Sequence, residues 1–253
     1  MSETILLLLA VIFLPVFPLS MVFNAVLDKT PHCWMKVIVI IVWPLVGLYI
    51  VLNNQFELPD WLIPLALFTS VLYALRMLSL REVNQWTGFL ATSTWTLLWL
   101  VVEQNSVSTQ LYGYAISMTI PLAILIILSK GLEDRFGAAY TELYGGLART
   151  VPRFAGILVV AAVAAVATPL FPTFFFMFDL VVKTVPFNLY ATAALLLTWL
   201  LWSWAGARLI QGLIVGRASK VKIVDMEMYS VFLYGMVIFA LMFYGLHLGG
   251  VIL

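Results

Sequence analysis

The sequence predicts an all-α, polytopic transmembrane helix bundle of about eight spans, the sixth broken by prolines. Three observations predict it. Apolar residues make up 64% of the 253-residue chain and charged residues only 10%, where a soluble domain carries about 25% charged residues. Too few charges remain to cover a water-facing surface. The apolar residues gather in runs that reach the ~20 residues a helix needs to cross hydrocarbon. Within those runs Leu, Ile, Val and Ala follow no strict alternation, which argues against a β-barrel.

The spans can be taken in order. Thr4–Leu27 is the first and holds Pro15 and Pro18; Met35–Leu52 is the second and holds Pro44. Trp61–Leu80 and Trp86–Val102 follow, then Leu111–Leu128 with Pro121 near its middle. A polar loop leads to the overlong sixth segment, Phe154–Val182, and the chain continues through Phe187–Val215 and Met228–Leu253. No soluble domain separates them, so residues 1–253 read as one integral membrane domain. Residues 1–60 supply two helices and residues 61–253 a six-helix portion. Met1-Ser2-Glu3 lacks the basic stretch of a cleaved signal, so the first run is expected to be retained. Prolines inside spans are tolerated where neighbouring helices satisfy the carbonyls they free.

Orientation follows from the basic residues. Every one of the 13 Lys and Arg residues except Lys183 falls in alternate connections. Lys29 and Lys36, then Arg76 and Arg81, then Lys130, Arg135, Arg149 and Arg153, then Arg208, Arg217, Lys220 and Lys222 mark one side. Because cytoplasmic loops are enriched in Lys and Arg, both termini are expected outside the cytoplasm, in a bacterial inner membrane. The count holds only if the sixth segment is a single crossing.

That segment contains Ala167-Thr-Pro-Leu-Phe-Pro-Thr-Phe-Phe-Phe-Met-Phe-Asp179. Pro169 and Pro172 each remove a backbone donor and obstruct an earlier carbonyl, so the helix should break between Thr168 and Phe174. Broken helices are common at ion and substrate paths; a kink that only shapes packing is the equally weighted alternative.

Around it lies an ordered series of motifs: Gly131-Leu-Glu-Asp-Arg135 in a loop, Leu143-Tyr-Gly-Gly-Leu-Ala-Arg149, Pro152-Arg-Phe-Ala155, and the broken helix. Upstream stands Leu80-Arg-Glu-Val-Asn-Gln-Trp-Thr-Gly-Phe89, downstream Ala207-Arg-Leu-Ile-Gln-Gly-Leu-Ile-Val-Gly216. This series resembles the antiporter-like proton-pumping subunits of respiratory complex I. The same family supplies Mrp-type sodium/proton antiporters and the membrane partners of energy-coupled CO2-hydrating complexes. The resemblance covers the part of the chain from Leu75 to Leu253. Full members carry two pseudo-symmetric half-channels, and the first is missing here. The resemblance also implies a His and a Lys on the fifth span, at places that fall near Met118 and Leu122. The buried Lys or Glu of the broken helix falls at Met177. None of these three can titrate, so the family's proton relay is degenerate.

The remaining ion-path candidates are Asp179, Lys183 and Arg208. Asp179 and Lys183 stand four apart and share a face of a continuing helix, and charges inside a bilayer are usually paired, wet or functional. The competing reading puts both near the outer interface, with Lys183 snorkelling. Arg208 could snorkel inward or meet a partner subunit, Arg81 reads as a positive-side anchor, and Glu103 as a cap on the fourth span. His247 reads as a satisfied packing residue. Several chemistries are excluded. His32-Cys33 offers too few ligands for zinc, and the single cysteine rules out an internal disulfide. The run Ala161–Ala167 suggests close helix packing, Trp34, Trp61 and Trp86 interfacial anchoring, and Gly145-Gly146 a turn. No phosphate loop or nucleophile elbow is present, so no cofactor, metal, catalysis or nucleic-acid partner is expected.

Two functions remain. The first is a non-catalytic membrane subunit of a proton-motive-force-coupled complex, a degenerate antiporter-like paralogue that couples or scaffolds. Its partners would be the bilayer, other membrane subunits including a full-length antiporter-like one, and a soluble or peripheral catalytic subunit. By analogy the host could be an inorganic-carbon (CO2/bicarbonate) uptake complex. The alternative is a self-contained small ion or solute transporter using the broken sixth helix. Such transporters show internal repeats, and no repeat between the halves stands out, which favours the first.

Overall fold

A computed structural model describes residues 3–54, 58–104, 108–141, 145–216 and 223–252. Leu143 and Tyr144 of the glycine motif, the basic cluster Arg217, Lys220 and Lys222, and Leu253 lie outside the described residues. Twelve helices and no strand are found among the described residues. The fold is a helical membrane bundle. Among the described residues four helices are long and apolar enough to cross a membrane: Cys33–Asn54, Ser108–Phe136, Leu189–Ile214 and Met228–Gly250.

The first apolar run is not one helix. α1 (Glu3–Phe13) and α2 (Ser20–Lys29) are separate, and Pro15 and Pro18 lie between them. The split leaves carbonyls that other helices cover: the indole of Trp43 donates to Ile12 O at 3.1 Å and that of Trp99 to Leu14 O at 3.0 Å. α3 (Cys33–Asn54) carries Pro44 without interruption and packs on α7, described below. α4 (Leu62–Met77) leads to α5 (Val83–Trp95) and α6 (Leu98–Glu103), so the fourth predicted span is two helical pieces on one line. Every residue from 90 to 101 is buried, which makes this line the centre of the bundle.

α7 (Ser108–Phe136) is longer than the fifth predicted span and is not broken at Pro121. Thr119 Oγ1 bonds to Ala115 O at 2.6 Å and Ser117 Oγ to Tyr114 O at 2.9 Å, so hydroxyls support the backbone ahead of the proline. Gly131–Arg135, read from sequence as a loop, forms the last turns of this helix. Arg135 there holds Val224 O at 3.2 Å and lies over the Phe154 ring at 5.0 Å. α8 (Leu147–Thr150) follows Gly146, whose φ of 79° suits the turn.

α9 (Pro152–Ala165) and α10 (Pro172–Thr184) each start on a proline at a first helical position, where a missing N–H costs nothing. Residues 166–171 join them. Ala167 and Leu170 there have φ of 57° and 81°, left-handed values that are strained for side-chain-bearing residues. α11 (Leu189–Ile214) is capped by Asn188 Oδ1, which accepts from Ala191 N at 3.0 Å, and packs on α4. α12 (Met228–Ile252) packs on α10 and α9. A Cβ at Gly245 would collide with the Leu170 carbonyl and lie 2.9 Å from the Phe171 carbonyl carbon, so only glycine lets α12 press against the 166–171 joint.

The connections sort to two ends. At one, Val83 N donates to Ala139 O and Thr141 N to Arg81 O, while Asp225 accepts from Arg153 N and Phe154 N. Arg76, Arg81, Lys130, Arg135 and Arg153 gather there. At the other, Asp60, Glu103 and Lys183 line one cleft.

Candidate functional site

α10 runs from the joint toward the acidic end, and a single turn of it carries both Asp179 and Lys183. Their four-residue spacing puts them on one face, and Lys183 Nζ donates to Asp179 Oδ2 at 2.7 Å. Asp179 is enclosed, its side chain 8% exposed, whereas Lys183 is 40% exposed and reaches outward. Behind the carboxylate stands Tyr114 of α7, whose hydroxyl donates to Asp179 Oδ2 at 3.1 Å. Tyr114 in turn accepts from Gln110 Nε2 at 2.7 Å and meets Phe176 edge-on at 5.1 Å between ring centres. A polar chain therefore runs from Gln110 through Tyr114 to Asp179 and Lys183. Lys183 lines a cleft of about 980 Å³ together with Asp60, Glu103, Gln104 and Asn188.

Inward the chain stops. Met118 lies one turn beyond Tyr114 on α7, Leu122 one turn further, and Met177 two residues before Asp179. All three are essentially inaccessible, at 1%, 1% and 0% exposure. The arrangement holds a paired charge beside the cleft, with Asp179 Oδ2 accepting from both Tyr114 and Lys183. Among the described residues no ionisable side chain extends it past these apolar residues.

Arg208 does not join this group. It lies exposed, twenty residues along α11 from Asn188, or about 30 Å at the helical rise. It lines a different cleft with Arg81 and Trp86. Pro169 lies within the joint and Pro172 ends it, and three carbonyls at the break accept from protein side chains. Thr173 Oγ1 donates to Ala164 O at 2.7 Å, Thr168 Oγ1 to Val163 O at 2.8 Å, and Trp199 Nε1 to Ala167 O at 2.9 Å. Coordination of an ion by these oxygens would have to displace those donors. His247, expected as a packing residue, is exposed on α12. Among the described residues no cluster of metal-ligating side chains occurs.

Sequence reasoning missed Tyr114 and Gln110. The signal was available: Tyr114 precedes Met118 by four residues, so it shares the face on which an ionisable group was sought. The first split segment carries a similar Pro-x-Phe-Pro, Pro15-Val-Phe-Pro18 beside Pro169-Leu-Phe-Pro172, and the helical ladder is interrupted at both. In α2 the Asn24 amide donates to Ser20 O at 3.0 Å and Thr92 Oγ1 at 2.9 Å.

No protein-family model matches the chain. An uncharacterized protein of Aquifex aeolicus (strain VF5) is 25% identical over 228 residues, covering 89% of this chain and 92% of the relative. Among solved structures, a chain of respiratory complex I from Thermus thermophilus superposes with a TM-score of 0.82 at 16% identity, over 95% of this chain and 54% of its own. A chain of the archaeal membrane-bound sulfane sulfur reductase, a respiratory membrane complex, gives 0.77 at 18% identity, over 93% and 51%. A chain of the Mrp complex of Dietzia sp. gives 0.73 at 16% identity, over 83% and 41%. The protein thus has the fold of an antiporter-like membrane subunit, and it spans about half the length of the solved chains it matches.

Proposed function

We propose that this chain is a non-catalytic membrane subunit of a proton-motive-force-coupled complex, acting as a coupling or scaffold element. One observation carries the reading. The antiporter-like fold is kept while Met118, Leu122 and Met177 fill its interior, and the ionisable groups retreat to Asp179, Lys183 and Tyr114 at one end. A buried apolar block gives a transferring proton no acceptor, so conduction belongs to a full-length antiporter-like partner and the chemistry to a peripheral catalytic subunit. The broken sixth helix fits a self-contained transporter less well, because the carbonyls of Val163, Ala164 and Ala167 beside the break already accept hydrogen bonds from Thr168, Thr173 and Trp199.

In this reading the chain makes eight crossings, with α1–α2 and α9–α10 each one broken crossing and the basic end in the cytoplasm. Membrane-impermeant labelling of Arg149→Cys from the outer face would refute that orientation. The function itself is tested by native purification from membranes with mass spectrometry of the co-purifying chains. Stable recovery of further membrane subunits is expected; recovery of this chain alone, still folded and active in ion transport, overturns the proposal.

A further inference from the structure

Two clefts at the basic end mix charges of both signs. Asp28 shares the lining of one with Lys36 and Arg76, and Asp134, Asp225 and Glu227 share that of another with Lys130 and Arg135. A further cleft of about 410 Å³, between α4, α5 and α11, is different. Arg81 and Arg208 line it, with no carboxylate among the described residues of the lining. Arg81 is already engaged. Arg208 is exposed and makes no hydrogen bond, ion pair or ring contact among the described residues.

The depth of Arg208 follows from its neighbours. α4 ends at Met77, and Leu78 lines the cleft with Arg208, so Arg208 stands level with the end of that helix although α11 continues to Ile214. Inward from it, Trp204 and Leu200 follow at four-residue spacing on the same face of α11. They are 56% and 62% exposed, and Leu75 of α4, at the cleft, is 48% exposed. An arginine at the surface therefore heads an apolar strip that runs into the hydrocarbon. The planar guanidinium gives phosphate two parallel N–H···O bonds and sheds water more readily than an ammonium does. Basic pockets between transmembrane helices take phosphate-bearing head groups, and tryptophan sits at head-group level. A free anion would answer the arginine but leave the strip unexplained.

We propose that the cleft between α4, α5 and α11 holds one anionic phospholipid, its phosphate on Arg208 and an acyl chain along Trp204 and Leu200. The head group supplies the negative charge that Arg208 lacks, and the chain covers a strip that protein leaves open. Trp86 and Thr141, both buried, close the cleft from inside and keep the head group at the surface. The site lies at the end of the bundle opposite Asp179 and Lys183, and it does not depend on which end faces the cytoplasm.

Native mass spectrometry of the full purified chain, offered equal amounts of phosphatidylglycerol and phosphatidylcholine in detergent, tests this. Phosphatidylglycerol should be retained in preference, and it should raise the Tm where sodium phosphate at the same concentration does not. Arg208→Gln should cut that retention about five-fold, the worth of one basic residue beside an anionic head group. Arg208→Lys should cut it less, because the charge stays and only the fork is lost. Arg76→Gln is the control and should change nothing, since Arg76 lies over the Phe89 ring at 5.2 Å and lines another cleft. Equal retention of the two lipids overturns the proposal, and so does an equal loss in Arg76→Gln, the mark of general attraction to the basic end. Equal stabilisation by sodium phosphate would leave a free-anion site and overturn the lipid. Unchanged retention in Arg208→Gln also overturns it, and release of a co-purifying subunit by that variant would assign the cleft to a protein partner. Should the variant not fold, the lipid preference and Tm shift of the unaltered chain still decide.

Discussion

The Tyr114 hydroxyl donates to Asp179 Oδ2 at 3.1 Å, and the same oxygen takes Lys183 Nζ at 2.7 Å, so one carboxylate joins α7 to the C-terminal half of α10. The tyrosine fixes where the carboxylate sits, and the lysine connects it to the cleft.

Asp179→Asn keeps the shape of this junction and removes its carboxylate. If the chain couples its partners through this junction, assembly of the complex persists and its proton-coupled activity falls several-fold, measured by proton uptake in proteoliposomes of the purified complex. Tyr114→Phe should cause a smaller loss, since the Lys183 pairing survives. If Asp179→Asn leaves both assembly and activity intact, the chain acts purely as a scaffold.

The joint between α9 and α10 is held by donors from elsewhere. Trp199→Phe removes the indole that serves Ala167 O, leaving a buried carbonyl unmatched at a cost of about 1–3 kcal/mol. Thermal unfolding in detergent should show a lowered Tm, without loss of the Asp179–Lys183 contact. An unchanged Tm would mean that Ala167 O finds another donor.

Close approach at Gly245 gives a steric counterpart. Gly245→Ala sets a methyl against the backbone of Leu170 and Phe171, which cannot swing aside as a side chain could. Destabilisation of about 1–3 kcal/mol is expected from such overpacking. Gly235→Ala, where nothing lies within 4 Å of the added atom, should be neutral or stabilise by about 0.5–1 kcal/mol. Equal Tm values for the two variants would show that α12 does not press on the joint.

Asp225 clasps the start of α9 outside the membrane-spanning segments. Partial burial alone would raise its carboxyl. The N–H groups of Arg153, Met226 and Phe154, with the Arg153 charge, outweigh that and hold it below the ordinary carboxylate range. A depressed folded-state value means the clasp stabilises above the ordinary range and is lost as pH falls through and below it. Asp225→Asn should therefore lower the Tm at neutral pH, and the gap from the unaltered chain should close on acidification. A gap independent of pH would show that charge is not what holds the clasp.

Much of the architecture was legible because bilayer physics writes it in long apolar runs and in the placement of basic residues. Asp179 and Lys183 were legible as a pair because helical spacing alone puts them on one face. Tyr114 was not, since a tyrosine inside a span reads as packing until α10 brings it a carboxylate from 65 residues away. The first span was read as one helix although it carries the same Pro-x-Phe-Pro as the sixth. Its covering donors, Trp43 and Trp99, come from later spans and leave no mark at the break itself. Gly131–Arg135 read as a loop because its charges end an apolar run, whereas Arg135 finds partners in Val224 and Phe154 that let the helix continue.

The indole caps also carry a consequence for biogenesis. Ile12 O and Leu14 O are served by Trp43 and Trp99, residues synthesised well after the segment they complete. Until α3 and α6 have been made, the α1–α2 break has backbone oxygens that lipid cannot satisfy. Its hydrogen bonding is completed only by residues that follow it in translation, so the local break cannot reach its final form as an isolated segment.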